Sequence, residues 1–374
     1  MAIFHVPLKK RIDDSYDIEI GENLFSALIN DLKSGLVKNI STYALITDSN
    51  VEKLYGRSLH TELKNNGFSV HLLSFPAGEA SKTRKTKLQL EDRMIDLRFG
   101  RDSCIIALGG GVVTDLAGFI AGTFARGIPF INYATTVLAA ADASIGGKTA
   151  VDTSAATNLI GLFYQPKKVY IDIHTWQTLS VRDIQCGLAE TIKHACMADA
   201  AFFAYLEQHI EDVLVAETAT KILDKSVCKH IAHKNCTIKY NVVKKDETET
   251  NLRQILNLGH TVGRALEPIS KYTLMHGEAV AIGIALQTRL GVKFGYLTQN
   301  QADRVIALLK RAGLPTEIPQ AINRQKLIAT LYTDKKVRKN KIRFVFQKGI
   351  GSMMRFKDGS YSREVSEHEV LSVL

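Results

Sequence analysis

Residues 101–127, RDSCIIALGGGVVTDLAGFIAGTFARG, decide the fold. An apolar run reads as a strand, Gly109-Gly110-Gly111 as a tight turn, and the small residues that follow as a helix. Strand, glycine turn and helix in succession form the repeating unit of a parallel α/β sheet. The same pattern extends outward. SYDIEIGENL at 15–24 alternates as an early strand, STYALITDSNV at 41–51 reads as a buried strand ending in a polar loop, and GFSVHLLSFPAGE at 67–79 repeats it. IPFINYATTVLAAADASIGGKTAV at 128–151 reads as a strand ending in a second glycine turn, and KKVYIDIHTW at 167–176 as the last clear strand of this half.

After about residue 178 helical periodicity takes over, at 182–212, 216–243, 260–270, 276–296 and 300–312, with KIRFVFQKGIG at 341–351 as the one strand-like stretch. The expectation is a Rossmann-like α/β domain with a parallel sheet over 1–177 and a mainly α-helical domain over 178–374. No repeat or Pro/Ser linker separates them, so a site is expected where they meet.

With 374 residues and 45% hydrophobic content, the chain can bury a sizeable core. No apolar stretch approaches the ~18–20 residues of a membrane span. The first residues lack the apolar stretch and cleavage site of a signal peptide. Cys104, Cys186, Cys196, Cys228 and Cys236 form no CxxC pair, and their odd number predicts free thiols and a cytoplasmic protein. A formal charge of +10 suits an anionic partner. The basic residues are dispersed apart from DKKVRKNKIR at 334–343, which points to a small anionic ligand rather than nucleic acid or membrane.

Four constellations stand out. The triple glycine lets backbone N–H groups approach a pyrophosphate, although it is not GxGxxG. Asp142 through Thr149, DASIGGKT, lacks the spacing of a P-loop, yet its Gly-Gly-Lys turn suits a phosphate. Glu190, His260 and His276 are possible metal ligands, the two histidines sixteen residues apart and without HExxH. Two His and one carboxylate leave a catalytic cation an open position, but each histidine alone reads more readily as a cap or core residue than as a ligand. Arg126, Lys148, Lys193, Lys239, Arg253, Lys335 and Lys336 form a scattered cationic set.

In order along the chain, GGGVVTDLAGFIAGTFARG, TTVLAAADASIGGKTAVD, NLIGLFYQPKKVYID, GLAETIKHA, KYNVVKKDETETNLRQILNLGHTVG and LMHGEAVAIGI resemble the 3-dehydroquinate synthases and other sugar phosphate cyclases. The resemblance covers residues 15–351. It implies an NAD-binding α/β domain, a helical metal- and substrate-binding domain, and a homodimer acting on a phosphosugar acid. In that family NAD is recycled: a ring hydroxyl is oxidised, phosphate leaves by β-elimination, the alcohol is restored, and the opened ring closes as a carbocycle.

By matching motif, the resemblance makes Glu190, His260 and His276 ligands of zinc or cobalt. Asp142, Lys193, Lys239, Arg253, Asn257 and Arg264 become the catalytic set, with Arg253 and Asn257 on the substrate carboxylate side. Lys148, Asn158, Lys335 or Lys336, and Arg126 from a partner subunit, are implied for the phosphate. Asp48, Asn50, Glu79, Lys82, Gly110, Gly111, Asp115, Thr135, Thr136, Asp142, Lys148, Thr178 and Leu179 are implied for NAD.

Departures from the family pattern fall near these loops. Arg264 stands where GHT-x-GHA has its second histidine, and arginine does not exchange a proton near neutral pH. Thr114 replaces a glycine, Ala134 a proline and Thr157 a lysine, and DERE-x-GLR becomes DETETNLR. These changes raise the expectations of slower chemistry, of a cyclase with a valiolone-, inosose- or amino-dehydroquinate-type product, or of a paralogue that binds NAD and phosphosugar without catalysis. Lys239, Arg253 and Asn257, which suit a carboxylate, favour the acidic phosphosugar.

Overall fold

The computed structural model describes residues 3–8, 13–153, 157–214, 223–332 and 341–374. Six strands form one parallel sheet in the order β1-β8-β5-β4-β2-β3. They are β1 (Asp17–Gly21), β2 (Thr42–Asp48), β3 (Val70–Phe75), β4 (Ser103–Gly109), β5 (Phe130–Ala134) and β8 (Lys168–Asp172). Every residue of β4 and β5 is buried. Continuous apolar strands of this kind form because helices cover both faces of the sheet. The expected parallel α/β half is present.

β6 (Lys148–Val151) and β7 (Ile160–Phe163) pair antiparallel as a separate hairpin. The stretch 128–151, expected as one strand, is in fact β5, a single wide helical turn at Ala139–Ala143, the Gly146-Gly147 turn and then β6. A run of small residues fits a close-packed turn as readily as a strand, and periodicity does not separate the two.

The helical half contains Val181–Ala198, Ala200–His209, Lys225–Lys245, His260–Ile269, His276–Lys293, Gln299–Arg311 and Arg324–Leu331. The segment 182–212, expected as one helix, breaks at Asp199. Its backbone is extended (φ −151°, ψ 97°), and its Oδ1 accepts the Phe202 N–H at 2.9 Å, capping the second helix. A short strand, β9 (Arg343–Val345), lies in the expected 341–351 stretch and pairs with β10 (Ser362–Glu364). One hydrophobic cluster joins Ala134, Val169 and Ile171 of the sheet to Ile192, Ile231 and Ile284 of the helices.

The helix His276–Lys293 starts in backbone contact with the helix Val181–Ala198. A Cβ on Gly277 would lie 2.1 Å from the Cys186 carbonyl oxygen and 2.5 Å from its Cα. Gly277→Ala must therefore separate the two helices. It is expected to cost about 1–3 kcal/mol, read as a lower denaturant midpoint with an unchanged slope. An unchanged midpoint would show that the contact is not needed.

Candidate active site

A cavity of about 630 Å³ lies between the carboxyl ends of the strands and the helical half. Open α/β sheets bind ligands at this edge. Gly110, Gly111, Asp115 and Thr136 line it from the sheet side, and Lys239, Arg253, His260 and His276 from the helices.

Glu190 is fully buried one turn before His194 on the helix Val181–Ala198. His260 opens one helix and His276 the next, and the Nε2 atoms of both stand 3.5 Å from Glu190 Oε1. The three ligand atoms lie within 4.8 Å of one another. Lys193 meets Glu190 Oε2 from the same helix, which leaves Oε1 turned toward the two histidines. The far side of each ring is occupied: His260 Nδ1 lies 3.2 Å from the Leu258 carbonyl oxygen, and His276 Nδ1 2.9 Å from Glu267 Oε1. Partners of this kind orient each ring with its Nε2 toward Glu190, where a bound cation would take the place of any proton on that nitrogen. Burial pulls His276 down, but the carboxylates of Glu267 and Glu190 outweigh it and push its pKa up to about 10. That negative charge suits a divalent cation, and the donor set fits zinc or cobalt.

Asp142 and His194 form a second cluster with Glu190. Lys239 Nζ pairs with Asp142 Oδ1 at 2.5 Å, and Lys193 pairs with Glu190. Burial would raise the Asp142 pKa, yet the Lys239 and Lys193 ammonium groups hold it well below the usual carboxylate range. These two ammonium groups already balance the carboxylates, so the second cluster does not call for a cation of its own.

The anion side is built from two loops. Gly146 has φ 89°, and a Cβ there would strike the Arg253 guanidinium at 2.5 Å. Arg253 Nη2 donates to the Gly146 carbonyl at 2.8 Å and Nη1 to the Glu247 carbonyl, so the arginine ties the glycine turn to the 246–253 loop. Lys148 Nζ pairs with Glu249 Oε2 at 2.6 Å, and Asn257 Nδ2 donates to Glu249 Oε1 at 2.5 Å. Arg264 also lines the cavity.

On the cofactor side, buried Lys82 meets Asp115 at 2.5 Å and Glu79 at 3.5 Å, and donates to Asn158 Oδ1 at 2.7 Å. Asp48 lines the cavity, while its Oδ1 accepts the Asn50 N–H at 2.8 Å. Of the expected residues, Asp48, Glu79, Lys82, Gly110, Gly111, Asp115, Thr136, Asp142, Lys148, Asn158, Lys239, Arg253, Asn257, Arg264, His260 and His276 share the cavity wall. Glu190 and Lys193 lie buried behind it. Thr135 is buried, and the Thr178 hydroxyl meets the Tyr55 hydroxyl at 2.8 Å; neither these two residues nor Asn50 and Leu179 line the cavity. Arg126 is exposed and does not line it. Lys335 and Lys336 lie outside the described residues.

Three carboxylates escaped the sequence reading: Glu267 behind His276, Glu249 between Lys148 and Asn257, and Asp152 near Lys82. For Glu267 a signal existed, because it lies seven residues after His260 and so on the same helix face. Glu249 lies within DETETNLR, among neighbouring acidic residues that spacing does not tell apart.

Asp152 accepts the Asn158 N–H at 2.7 Å. Burial pushes its carboxyl from 3.8 up to about 6, with Lys82 opposing the shift and Glu79 adding to it. The folded state therefore holds a proton that the unfolded state has released, and stability falls as pH rises from 3.8 to 6. The loss is about 3 kcal/mol across that window. Asp152→Asn keeps the acceptor and removes the titration, so its unfolding free energy is expected to lack this component between pH 4 and 6. Parallel curves for the two proteins would contradict the assignment.

Comparison with known proteins adds to this geometry. Residues 72–186 match the family model for the 3-dehydroquinate synthase N-terminal region, and residues 187–337 the one for its C-terminal region. A 3-dehydroquinate synthase of Desulforamulus reducens is 42% identical over 92% of this chain and 95% of its own. One from Caldanaerobacter subterraneus is 42% identical over 99% and 98%. Among solved structures, the 2-epi-5-epi-valiolone synthase ValA of Streptomyces hygroscopicus, with NAD+ and Zn2+ bound, superposes with a TM-score of 0.85 at 26% identity, covering 99% of this chain and 98% of that one. A 2-deoxy-scyllo-inosose synthase shares the fold, with a TM-score of 0.84 at 23% identity and 95% of each chain covered.

Proposed function

The chain belongs to the 3-dehydroquinate synthase family, and from that premise we propose that its cavity converts 3-deoxy-D-arabino-heptulosonate 7-phosphate to 3-dehydroquinate with release of phosphate. The observation that carries this reading is the convergence, on one cavity, of the Glu190–His260–His276 cluster with the Lys239–Asp142 pair and the Lys148–Asn257–Arg264 anion side.

NAD supplies reversible oxidation of a ring hydroxyl, and a divalent cation polarises the oxygen concerned. Glu190, His260 and His276 would hold the cation. Glu79, Lys82, Asp115, Gly110, Gly111, Thr136 and Asp48 would hold the dinucleotide, with Asn50, Thr135, Thr178 and Leu179 supporting that side from outside the cavity wall. Buried Lys239 and half-buried Asp142 form an ion pair at the cavity wall that can orient a hydroxyl and stabilise developing negative charge on its oxygen. Lys193 keeps Glu190 ionised from behind.

Lys148, Asn158 and Arg264 place fixed donors for a phosphate, and arginine binds one by two parallel N–H bonds. Arginine cannot accept a proton near neutral pH, so a proton leaving carbon beside the phosphate goes to a phosphate oxygen or to Glu249 rather than to the residue at 264. Arg253 and Asn257 favour a substrate carboxylate. Arg253 would meet it with hydrogens not already given to the Gly146 and Glu247 carbonyls.

We read residues 1–177 as the cofactor half and 178–374 as the metal and substrate half. A homodimer with Arg126 reaching a neighbouring copy's phosphate site fits its exposure and its place outside this chain's own cavity wall. Five free, buried cysteines fit a reducing cytoplasm.

Incubation of the protein with NAD, zinc and the acidic phosphosugar is expected to release inorganic phosphate and form dehydroquinate, and a chelator should stop it. A neutral seven-carbon phosphosugar is expected to release none. Turnover of the neutral sugar in preference to the acid would overturn the assignment in favour of another cyclase of this family.

A further inference from the structure

The connection between the helices that begin with His260 and His276 contains two consecutive left-handed residues, Lys271 at φ 53° and Tyr272 at φ 59°. The Thr273 N–H donates to the Ser270 carbonyl at 3.1 Å and closes the turn around them. Turns with two left-handed central residues ordinarily use glycine, asparagine or aspartate. A bulky side chain in this conformation is an outlier, and such outliers persist where the surroundings impose them, often beside ligands.

The surroundings here are specific. The Tyr272 N–H donates to the Glu267 carbonyl at 3.0 Å, and the Lys271 N–H to the Pro268 carbonyl at 3.0 Å. The turn is thereby fastened to the helix that carries His260, Arg264 and Glu267. Tyr272 is 37% exposed, so no apolar core holds it in place. Its side chain lines the cavity together with Leu274 and Met275, while Gly78, Glu79 and Lys82 line it from the sheet side. Burial raises the pKa of the hydroxyl, with Asp152, Glu267 and Glu79 adding to the effect and Lys82 opposing it. The hydroxyl therefore keeps its proton, and the charges that act on it come from both halves of the protein.

We infer that Tyr272 is a cofactor-retaining residue: the strained turn presents its ring and hydroxyl to the cavity from the helical half, where they cover and hydrogen-bond the dinucleotide held by Glu79 and Lys82. This inference rests on the reading that NAD binds in this cavity. A cofactor that is reduced and reoxidised within one turnover must not leave between the two steps. A residue from the opposite half that holds it slows that loss.

The test uses the full chain as wild type, Tyr272→Gly and Tyr272→Phe. Three quantities are read: NAD affinity by calorimetry, NADH release by stopped-flow displacement, and the melting temperature without cofactor. Tyr272→Gly suits the turn, so its melting temperature is expected to hold or rise while NAD binds about tenfold more weakly and NADH leaves correspondingly faster. Tyr272→Phe keeps the ring and loses the hydroxyl, and a drop of a few-fold is expected. NAD affinity within about twofold of wild type in Tyr272→Gly overturns the inference. So does weaker binding accompanied by a lower melting temperature with Tyr272→Phe unaffected, because that pattern marks a purely structural residue. Failure of the wild type to bind NAD overturns the NAD reading itself, and this inference with it.

Discussion

Glu190 is a carboxylate with no exposed surface, and the arrangement of the helical half follows from what must surround it. An ionised carboxylate away from water is costly unless opposite charge is brought to it. Lys193 supplies one such charge from the same helix, and His260 and His276 supply two imidazoles from the starts of two other helices. Removing one partner of a buried charge set costs about 3–5 kcal/mol, so the three helices are bound to one another electrostatically as well as by packing. Gly277 allows the backbone approach that brings His276 within reach of Glu190.

From this centre the charges extend in two directions. Toward the sheet, Asp142 is neutralised by Lys239 and Lys193, which places a compact ion pair beside the Glu190–His260–His276 cluster. Toward the hairpin, Arg253 bridges the Gly146 turn and the 246–253 loop, and Glu249 bridges Lys148 and Asn257. The cavity therefore has a cation-seeking end and an anion-seeking end. A phosphosugar acid needs both: polarisation at one hydroxyl and fixed donors for its charged groups.

Much of this was legible in the sequence, for identifiable reasons. The sheet was readable because strands such as 103–109 are apolar throughout and are followed by glycine and then helix. The break at Asp199 was hidden because the apolar period continues on both sides of it, and an aspartate cap inside a periodic run looks like one more surface residue. The hairpin of β6 and β7 was missed because it pairs locally, outside the main sheet. Glu190, His260 and His276 were selected by resemblance, since spacing alone left them indistinguishable from caps and core residues. Glu249 and Asp152 gain their partners, Lys148 and Asn257 for one and the Asn158 N–H for the other, only in the folded arrangement. Thr178 and Leu179 lie beyond the cavity wall, where sequence alone gave no means of placing them.

The account stands on the claim that Glu190, His260 and His276 form one cation seat. Zinc affinity, measured by competition with a chromophoric chelator, tests it directly on the wild-type chain and on Glu190→Gln. One tightly held zinc per wild-type chain is predicted, with binding weakened by about a hundredfold or more in the variant. Equal affinity in the two proteins would contradict the claim and leave the buried carboxylate as a structural charge alone.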